Sequence, residues 1–312
     1  MFCIIAFVVL GILGIFSATN RALAKEAFDC VLRRVTLRPC NTGFDEKMKA
    51  KILGTVIMRS ERAAGFLSKY FELLSWIFFI LMLASTIWAV RGLYLFYVTG
   101  SCNGLNATAF CVFDPTGSNN TVSGVTEGCP IKPITAKDLT LEGVNLTGFP
   151  VLNPNSPDKI VMVGCYGCEY TRKTYPIIQQ MVSHYGASFT FLDYPVKVKS
   201  DYLTRVSYCT YQADPVKYWQ LNNILFTADK TVFETEDYAR KTLGGLGLDA
   251  EAVLTCVNEP RTAAVVKQML AEVLKTKFYG TPTIFINGQV LVGPKPYRVY
   301  AILLKGLLFW LY

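Results

Sequence analysis

Ile160-Val161-Met162-Val163-Gly164-Cys165-Tyr166-Gly167-Cys168-Glu169-Tyr170-Thr171-Arg172-Lys173 reads as an apolar strand that passes directly into a helix, with two cysteines at the handover. Thiols react readily at such a position. The thiolate is the nucleophilic form, and the unpaired N–H groups of a helix's first turn favour negative charge, so Cys165 is expected to ionise more easily than a free thiol. The two-residue spacing lets Cys168 close back on Cys165 one turn later, so a mixed disulfide formed at one cysteine can be resolved by the other. The same spacing is also that of half a zinc site.

A second stretch narrows the reading. Phe278-Tyr279-Gly280-Thr281-Pro282-Thr283-Ile284-Phe285-Ile286-Asn287-Gly288-Gln289-Val290-Leu291-Val292-Gly293 predicts a β-hairpin: two apolar runs joined by Asn287-Gly288, with Thr281-Pro282 just ahead of the first. After the cysteines, residues 169–185 read as a helix that Pro176 is expected to kink, and residues 188–194 as an alternating strand. Strand, crossover helix and strand make a βαβ unit, which is right-handed. Residues 201–275 read as mostly helical, divided at Gly244-Gly245-Leu246-Gly247.

In order and spacing these motifs resemble the DsbA-like branch of the thioredoxin-fold thiol–disulfide oxidoreductases, over roughly residues 150–305. Tyr208-Cys209-Thr210-Tyr211-Gln212 with Lys217-Tyr218-Trp219-Gln220-Leu221-Asn222-Asn223-Ile224-Leu225-Phe226 is similar to that family's helical insertion, and Leu254-Thr255-Cys256-Val257 to its later helix. The resemblance implies an α/β thioredoxin-like fold with a helical insertion at about 200–275. It implies that Cys165 is the exposed nucleophile and Cys168 the buried resolving thiol. Thr281 and a cis Pro282 shape the substrate groove, where the preceding backbone can pair with an extended peptide. Exported or secreted proteins are the implied substrates, a membrane redox partner is implied, and no cofactor is. Tyr166-Gly167 between the cysteines is neither the Pro-His of strong oxidants nor the Gly-Pro of thioredoxins, which leaves the direction of electron flow open.

The chain is 312 residues long, 52% hydrophobic, with a mean hydropathy of +0.32, so more than one domain and some membrane segment are expected. Residues 2–17 are uncharged but short for a span, which needs about 20 apolar residues. A signal peptide cleaved near Ala22-Leu23-Ala24 is the alternative, although no positive residue precedes the apolar run. Residues 73–90 make a clearer span, with Trp76 and Trp88 suited to the interfaces and Arg91 just beyond. Between Arg21 and Lys69 stand eleven Lys or Arg against five acids, which by the positive-inside rule makes the loop cytoplasmic and places the rest of the chain outside. From position 101 onward basic and acidic residues nearly balance, 19 against 17, so the net charge of +8 marks topology and lipid contact rather than a nucleic-acid-binding face.

The expected division is a transmembrane helix or signal anchor at 1–18, a basic cytoplasmic loop at 19–72, a transmembrane helix at 73–98, a cysteine-containing extracytoplasmic linker at 99–149, and the thioredoxin-like domain at 150–312. The expected location is a multi-pass membrane protein with its C-terminal domain extracytoplasmic. Asn106-Ala107-Thr108, Asn119-Asn120-Thr121 and Asn145-Leu146-Thr147 are glycosylation acceptor patterns on that side. Cys102, Cys111 and Cys129 are disulfide candidates in a segment too poor in apolar residues to order itself, and their odd number leaves one free or paired elsewhere. Cys209 and Cys256 are expected to form a structural disulfide within the insertion, while Cys30 and Cys40 read as reduced cytosolic thiols. Residues 300–312 read as the fold's last helix.

Two other functions share this sequence. One is a thioredoxin-fold docking subunit of a membrane assembly, with no catalysis. The other is a metal-delivery module, for which the CxxC pair needs further soft or imidazole ligands; the one histidine, His184, falls near the far end of the helix that the pair begins, and no metal site is expected. A single histidine and the lack of a nucleophile elbow or phosphate-binding glycine loop leave hydrolase and nucleotide chemistry without footing.

Overall fold

A computed structural model of the chain describes residues 18–36, 60–124, 135–197, 201–231 and 233–312, together with isolated residues before position 60. The apolar run at 2–17, save for Phe7, and Cys40 and Cys129 lie outside the described residues. The chain divides into two units, Met1–Val90 and Arg91–Tyr312.

The first unit holds helix α1 (Ala18–Val35) and most of helix α2 (Glu61–Thr99). Gly65–Thr99 has a mean hydropathy of 2.2 in its most apolar window, and none of that window is buried. Trp76, Ile80, Leu81, Ile87 and Trp88 are all exposed, so the apolar side chains of α2 are not covered by the other described residues. Where two spans are expected, one helix among the described residues is long and apolar enough to cross a membrane. It is also longer than the 73–98 expected, because helix formers continue the pattern back to Glu61 through a local irregularity at Tyr70. Cys30 is buried in α1 and disulfide-bonded, unlike the reduced thiol expected of a cytosolic loop.

The second unit is built on a five-stranded sheet in the order β2-β4-β3-β6-β7, formed by β2 (Val151–Leu152), β3 (Lys159–Gly164), β4 (Ser188–Asp193), β6 (Thr283–Ile286) and β7 (Gln289–Val292). The central strand β3 runs parallel to β4, through the crossover helix α3 (Glu169–Tyr185), and antiparallel to β6. Its side chains alternate between two cores, as period-two geometry requires. Ile160 and Met162 join Ile178, Phe189, Phe191 and Tyr300 on one face; Val161 and Val163 join Leu192, Met269, Val273 and Phe285 on the other. Asn287 and Gly288 both take positive φ, 46° and 85°, the geometry of the tight hairpin turn expected there. α3 continues unbroken through Pro176.

The insertion supplies α4 (Tyr202–Ala213), α5 (Pro215–Thr227), α6 (Glu236–Gly245), α7 (Ala250–Asn258) and α8 (Pro260–Lys275). Asp214, Thr235 and Asp249 cap α5, α6 and α7 by accepting from first-turn N–H groups, so the helix starts are written in the sequence. A disulfide between Cys209 and Cys256 ties α4 to α7, as expected. Helix α9 (Tyr297–Lys305) closes the first core with Val299, Tyr300 and Leu304, and residues 307–308 and 310–312 beyond it are exposed.

Residues 99–124 are ordered. Cys102 and Cys111 are joined by a disulfide. Asp114 accepts from the Ser118 and Asn119 N–H groups, and the buried Lys295 donates to the Asn119 carbonyl at 2.5 Å and to the Asn120 side chain. The stretch ends in β1 (Ser123–Gly124), which pairs antiparallel with β5 (Gly280–Thr281).

Candidate active site

β3 ends at Gly164, and Cys165 begins a turn closed by the Cys168 N–H donating to the Cys165 carbonyl at 3.1 Å. Cys168 is the N-cap of α3, with extended backbone angles, and its carbonyl accepts from Arg172 N–H at 3.0 Å as the helix starts. Gly164 has to be glycine here: a Cβ on it would come within 2.7 Å of the Phe191 ring and 2.8 Å of Thr171.

The register of the sheet brings the second motif to the first. Val163 lies opposite Thr283, so the Thr281–Pro282 peptide, which is cis, sits beside the cysteine turn. Gly293 N–H donates to the Pro282 carbonyl at 2.9 Å and holds the loop in place. Two pairs that the sequence places more than a hundred positions apart are thereby brought together: Cys165 with Cys168, and Thr281 with Pro282. The other candidates lie elsewhere. Cys102–Cys111 and Cys209–Cys256 are disulfides away from the turn, and Cys165 and Cys168 are the free cysteines among the described residues.

Both cysteines have no exposed surface, so Cys165 is not the exposed thiol expected. Its Sγ accepts from Lys197 N–H at 3.4 Å, which brings the loop after β4 over it. The two thiols influence one another's ionisation. The Cys168 thiol is lowered, first by the hydrogen bond from Cys165 and then by the Thr281 and Ser123 hydroxyls; the Cys165 thiol is raised by that same bond and by burial. The surroundings favour ionisation of Cys168 over Cys165, where the helix-start argument alone points to Cys165. The helix N-terminus and the Thr281 and Ser123 hydroxyls lie on the side of the N-cap sulfur, and Thr281 Oγ1 is buried with no hydrogen-bond partner of its own.

Sequence reasoning missed the groups that fix the turn from below. Tyr166 points inward and is buried, its hydroxyl 2.8 Å from Ser207 Oγ and donating to Asn222 Oδ1 at 2.6 Å. Asn222 in turn donates to Tyr175, which donates to Asn223. Arg172 donates to the Tyr166 carbonyl at 3.0 Å and to the Ala228 carbonyl, with its guanidinium over the Phe233 ring. The buried Asp193, opposite Gly164 in the sheet, accepts from Thr204, and burial holds its carboxyl well above the usual range. An aromatic residue between two reactive cysteines is the one signal that could have pointed inward. Among the described residues no cluster of three or more His, Cys, Asp or Glu side chains is assembled as a metal site.

Residues 170–305 match the family described as the DSBA-like thioredoxin domain. This part of the chain is a DSBA-like thioredoxin domain. The match begins two residues after Cys168, so the role of the cysteines is argued from their own geometry. Among solved structures, the chain is similar to a thioredoxin-like oxidoreductase from Silicibacter pomeroyi DSS-3, at 23% identity over 48% of this chain and 87% of that one, with a TM-score of 0.43. It is also similar to the thiol–disulfide exchange protein α-DsbA2 from Wolbachia pipientis (18% identity, 49% and 83% covered, TM-score 0.42). The catalytic domain of Proteus mirabilis ScsC gives 16% identity, 51% and 88% covered, and a TM-score of 0.45. No curated protein matches the chain.

Proposed function

We propose that the chain is a membrane-anchored thiol–disulfide oxidoreductase that exchanges disulfides with exported proteins through Cys165 and Cys168. The observation that carries this is the pair of free cysteines at the β3–α3 junction, facing Thr281 and Pro282. In the exchange, the Cys165 thiolate attacks one sulfur of a substrate disulfide, forming a mixed disulfide and releasing the other substrate sulfur as a thiolate. Cys168 then attacks Cys165, the mixed bond breaks, and the second substrate thiolate leaves. Two electrons pass from the enzyme pair to the substrate, and the reverse sequence donates a disulfide. The charge favoured on Cys168 moves to Cys165 by proton transfer between the two thiols, so the pair ionises as a unit.

The groups that lower the Cys168 thiol stabilise the reduced, half-ionised pair, which favours the direction in which the protein oxidises its substrates. The long apolar α2 supports a membrane anchor. The basic residues between 19 and 72 support a cytoplasmic loop and an extracytoplasmic thioredoxin-like domain, and the disulfide at Cys30 is the observation that stands against that orientation. A lipid bilayer, exported proteins and a membrane redox partner are the partners this reading requires.

The test is insulin reduction and oxidative reactivation of a reduced secreted protein by the full chain in detergent. Wild type is expected to catalyse at least one of the two and Cys165→Ser neither; equal rates for both proteins would leave a docking role instead.

A further inference from the structure

A thiol with no exposed surface cannot be reached by a protein disulfide, so something must leave the site before exchange begins. Part of what lies against the neighbouring Cys168 comes from outside the thioredoxin-like domain. β5 is a two-residue edge beside the cysteine turn, the kind of backbone that accepts an extended peptide as an added strand. Its partner is β1, from the segment stapled by Cys102–Cys111, with Ser123 opposite Thr281 and Gly124 opposite Gly280.

The seat for this strand is built closely. A Cβ on Gly280 would meet Val122 at 2.6 Å and the Ser123 carbonyl at 3.0 Å, so residue 280 has to lack a side chain for β1 to lie where it does. Val122 packs against the second core, and Ser123 is buried with its hydroxyl acting on Cys168. Upstream of the strand, the segment is held to β7 and the loop after it. Lys295 holds Asn119 and Asn120, and Asn106 exchanges two hydrogen bonds with the β7 backbone, at 2.8 Å to the Val290 carbonyl and 2.7 Å from Val292 N–H. Alongside, a cleft of about 550 Å³ runs between Thr116, Ser118 and Thr121 on one wall and Tyr170, Lys173 and Pro296 on the other.

We infer that β1 is a resident occupant of the substrate-binding edge, and that a protein substrate reaches the cysteines by exchanging its own extended backbone for Val122–Gly124 against β5. This rests on the exchange reading above. The anchored part, residues 100–121, stays in place as a wall, while the last three residues act as the displaceable strand. The consequence is selectivity: a substrate has to present an unfolded, extended stretch next to its cysteine in order to compete with the internal strand.

The experiment uses the reduced full chain in detergent micelles and follows alkylation of Cys165 and Cys168 by N-ethylmaleimide, mapped by mass spectrometry. Val122→Asp places a charge in an apolar contact, and Gly280→Ala inserts a methyl group into the occupied space; each is expected to raise the alkylation rate about tenfold, the value of the lost two-residue pairing. Far-UV circular dichroism and an intact Cys209–Cys256 bond establish that the variants are folded. In wild type, addition of an extended cysteine-containing peptide is expected to speed hydrogen exchange at residues 122–124 and leave residues 100–118 unchanged. Unchanged alkylation in folded variants, together with unchanged exchange in wild type, would overturn the inference. Because the wild-type pair is cycled with glutathione in parallel, failure of the strand inference leaves that cycling intact, whereas failure of the exchange reading abolishes it.

Discussion

At the residue scale, the site is defined by which groups act on each sulfur. The Cys168 thiol is lowered and the Cys165 thiol raised, so their effects on stability have opposite signs. Below the ordinary thiol range the native protein has already ionised Cys168 while the unfolded chain is still protonated, so stability rises with pH. Above that range the unfolded chain ionises at Cys165 while the native protein does not, so stability falls. The reduced protein is therefore expected to show a stability contribution that peaks near the ordinary thiol value of about 8.5 and is absent in Cys165→Ser, checked by urea titrations across pH. Thr281→Val removes a hydroxyl that lowers the Cys168 thiol and is expected to move the pH midpoint of alkylation upward. Tyr166→Phe leaves Ser207 and Asn222 without their buried partner and is expected to cost about 1–3 kcal/mol in the same titrations. None of this was legible in the sequence. The CxxC spacing gives the location of the chemistry, but the helix-start argument concerns Cys165 alone and cannot see Ser123, which arrives from more than forty residues upstream.

At the scale of elements, the sequence was more informative. Residues 169–185 form a helix and 188–193 a strand because their apolar spacing has one solution each, and Asn287-Gly288 turns the hairpin because both positions take positive φ. The Cys209–Cys256 bond was expected from the resemblance and is present. It closes a sequence separation of 47, and replacing both cysteines with serine is expected to lower stability by about 3 kcal/mol, read as a lower urea midpoint. The part that could not be read was residues 99–124, whose order comes from single polar side chains bonded to distant backbone rather than from any periodic pattern. Asn106 shows why: its amide nitrogen is bonded to Val290 and its oxygen to Val292, contacts no local pattern announces.

At the scale of the whole molecule, the same bonds bear on modification and topology. The Asn119 amide nitrogen donates to the Gly100 carbonyl at 2.9 Å, so Asn106 and Asn119 both have their acceptor nitrogen engaged, while Asn145 is exposed. In a glycosylating host with this domain exported, Asn145 is expected to carry the glycan and the other two to remain bare, checked by mass mapping after deglycosylation. Hydropathy identified a long apolar helix, and the basic stretch before it is what the positive-inside rule reads as cytoplasmic. Labelling of Cys30 in intact cells by an impermeant maleimide, with and without an impermeant reductant, decides the orientation: protection by the disulfide and accessibility only after external reduction would place residues 19–72 outside.

The most direct test of the central claim is the reduction potential of the Cys165/Cys168 pair, measured in the full chain by equilibration with glutathione buffers and quantified by mass spectrometry, with Cys165→Ser as the control. Stabilisation of the half-ionised pair by the Thr281 and Ser123 hydroxyls predicts reversible cycling at a potential above thioredoxin's, about −270 mV, towards the −120 to −180 mV of known oxidants and isomerases. A pair that does not cycle, or that holds its disulfide below about −300 mV in the manner of a structural bond, would contradict the account.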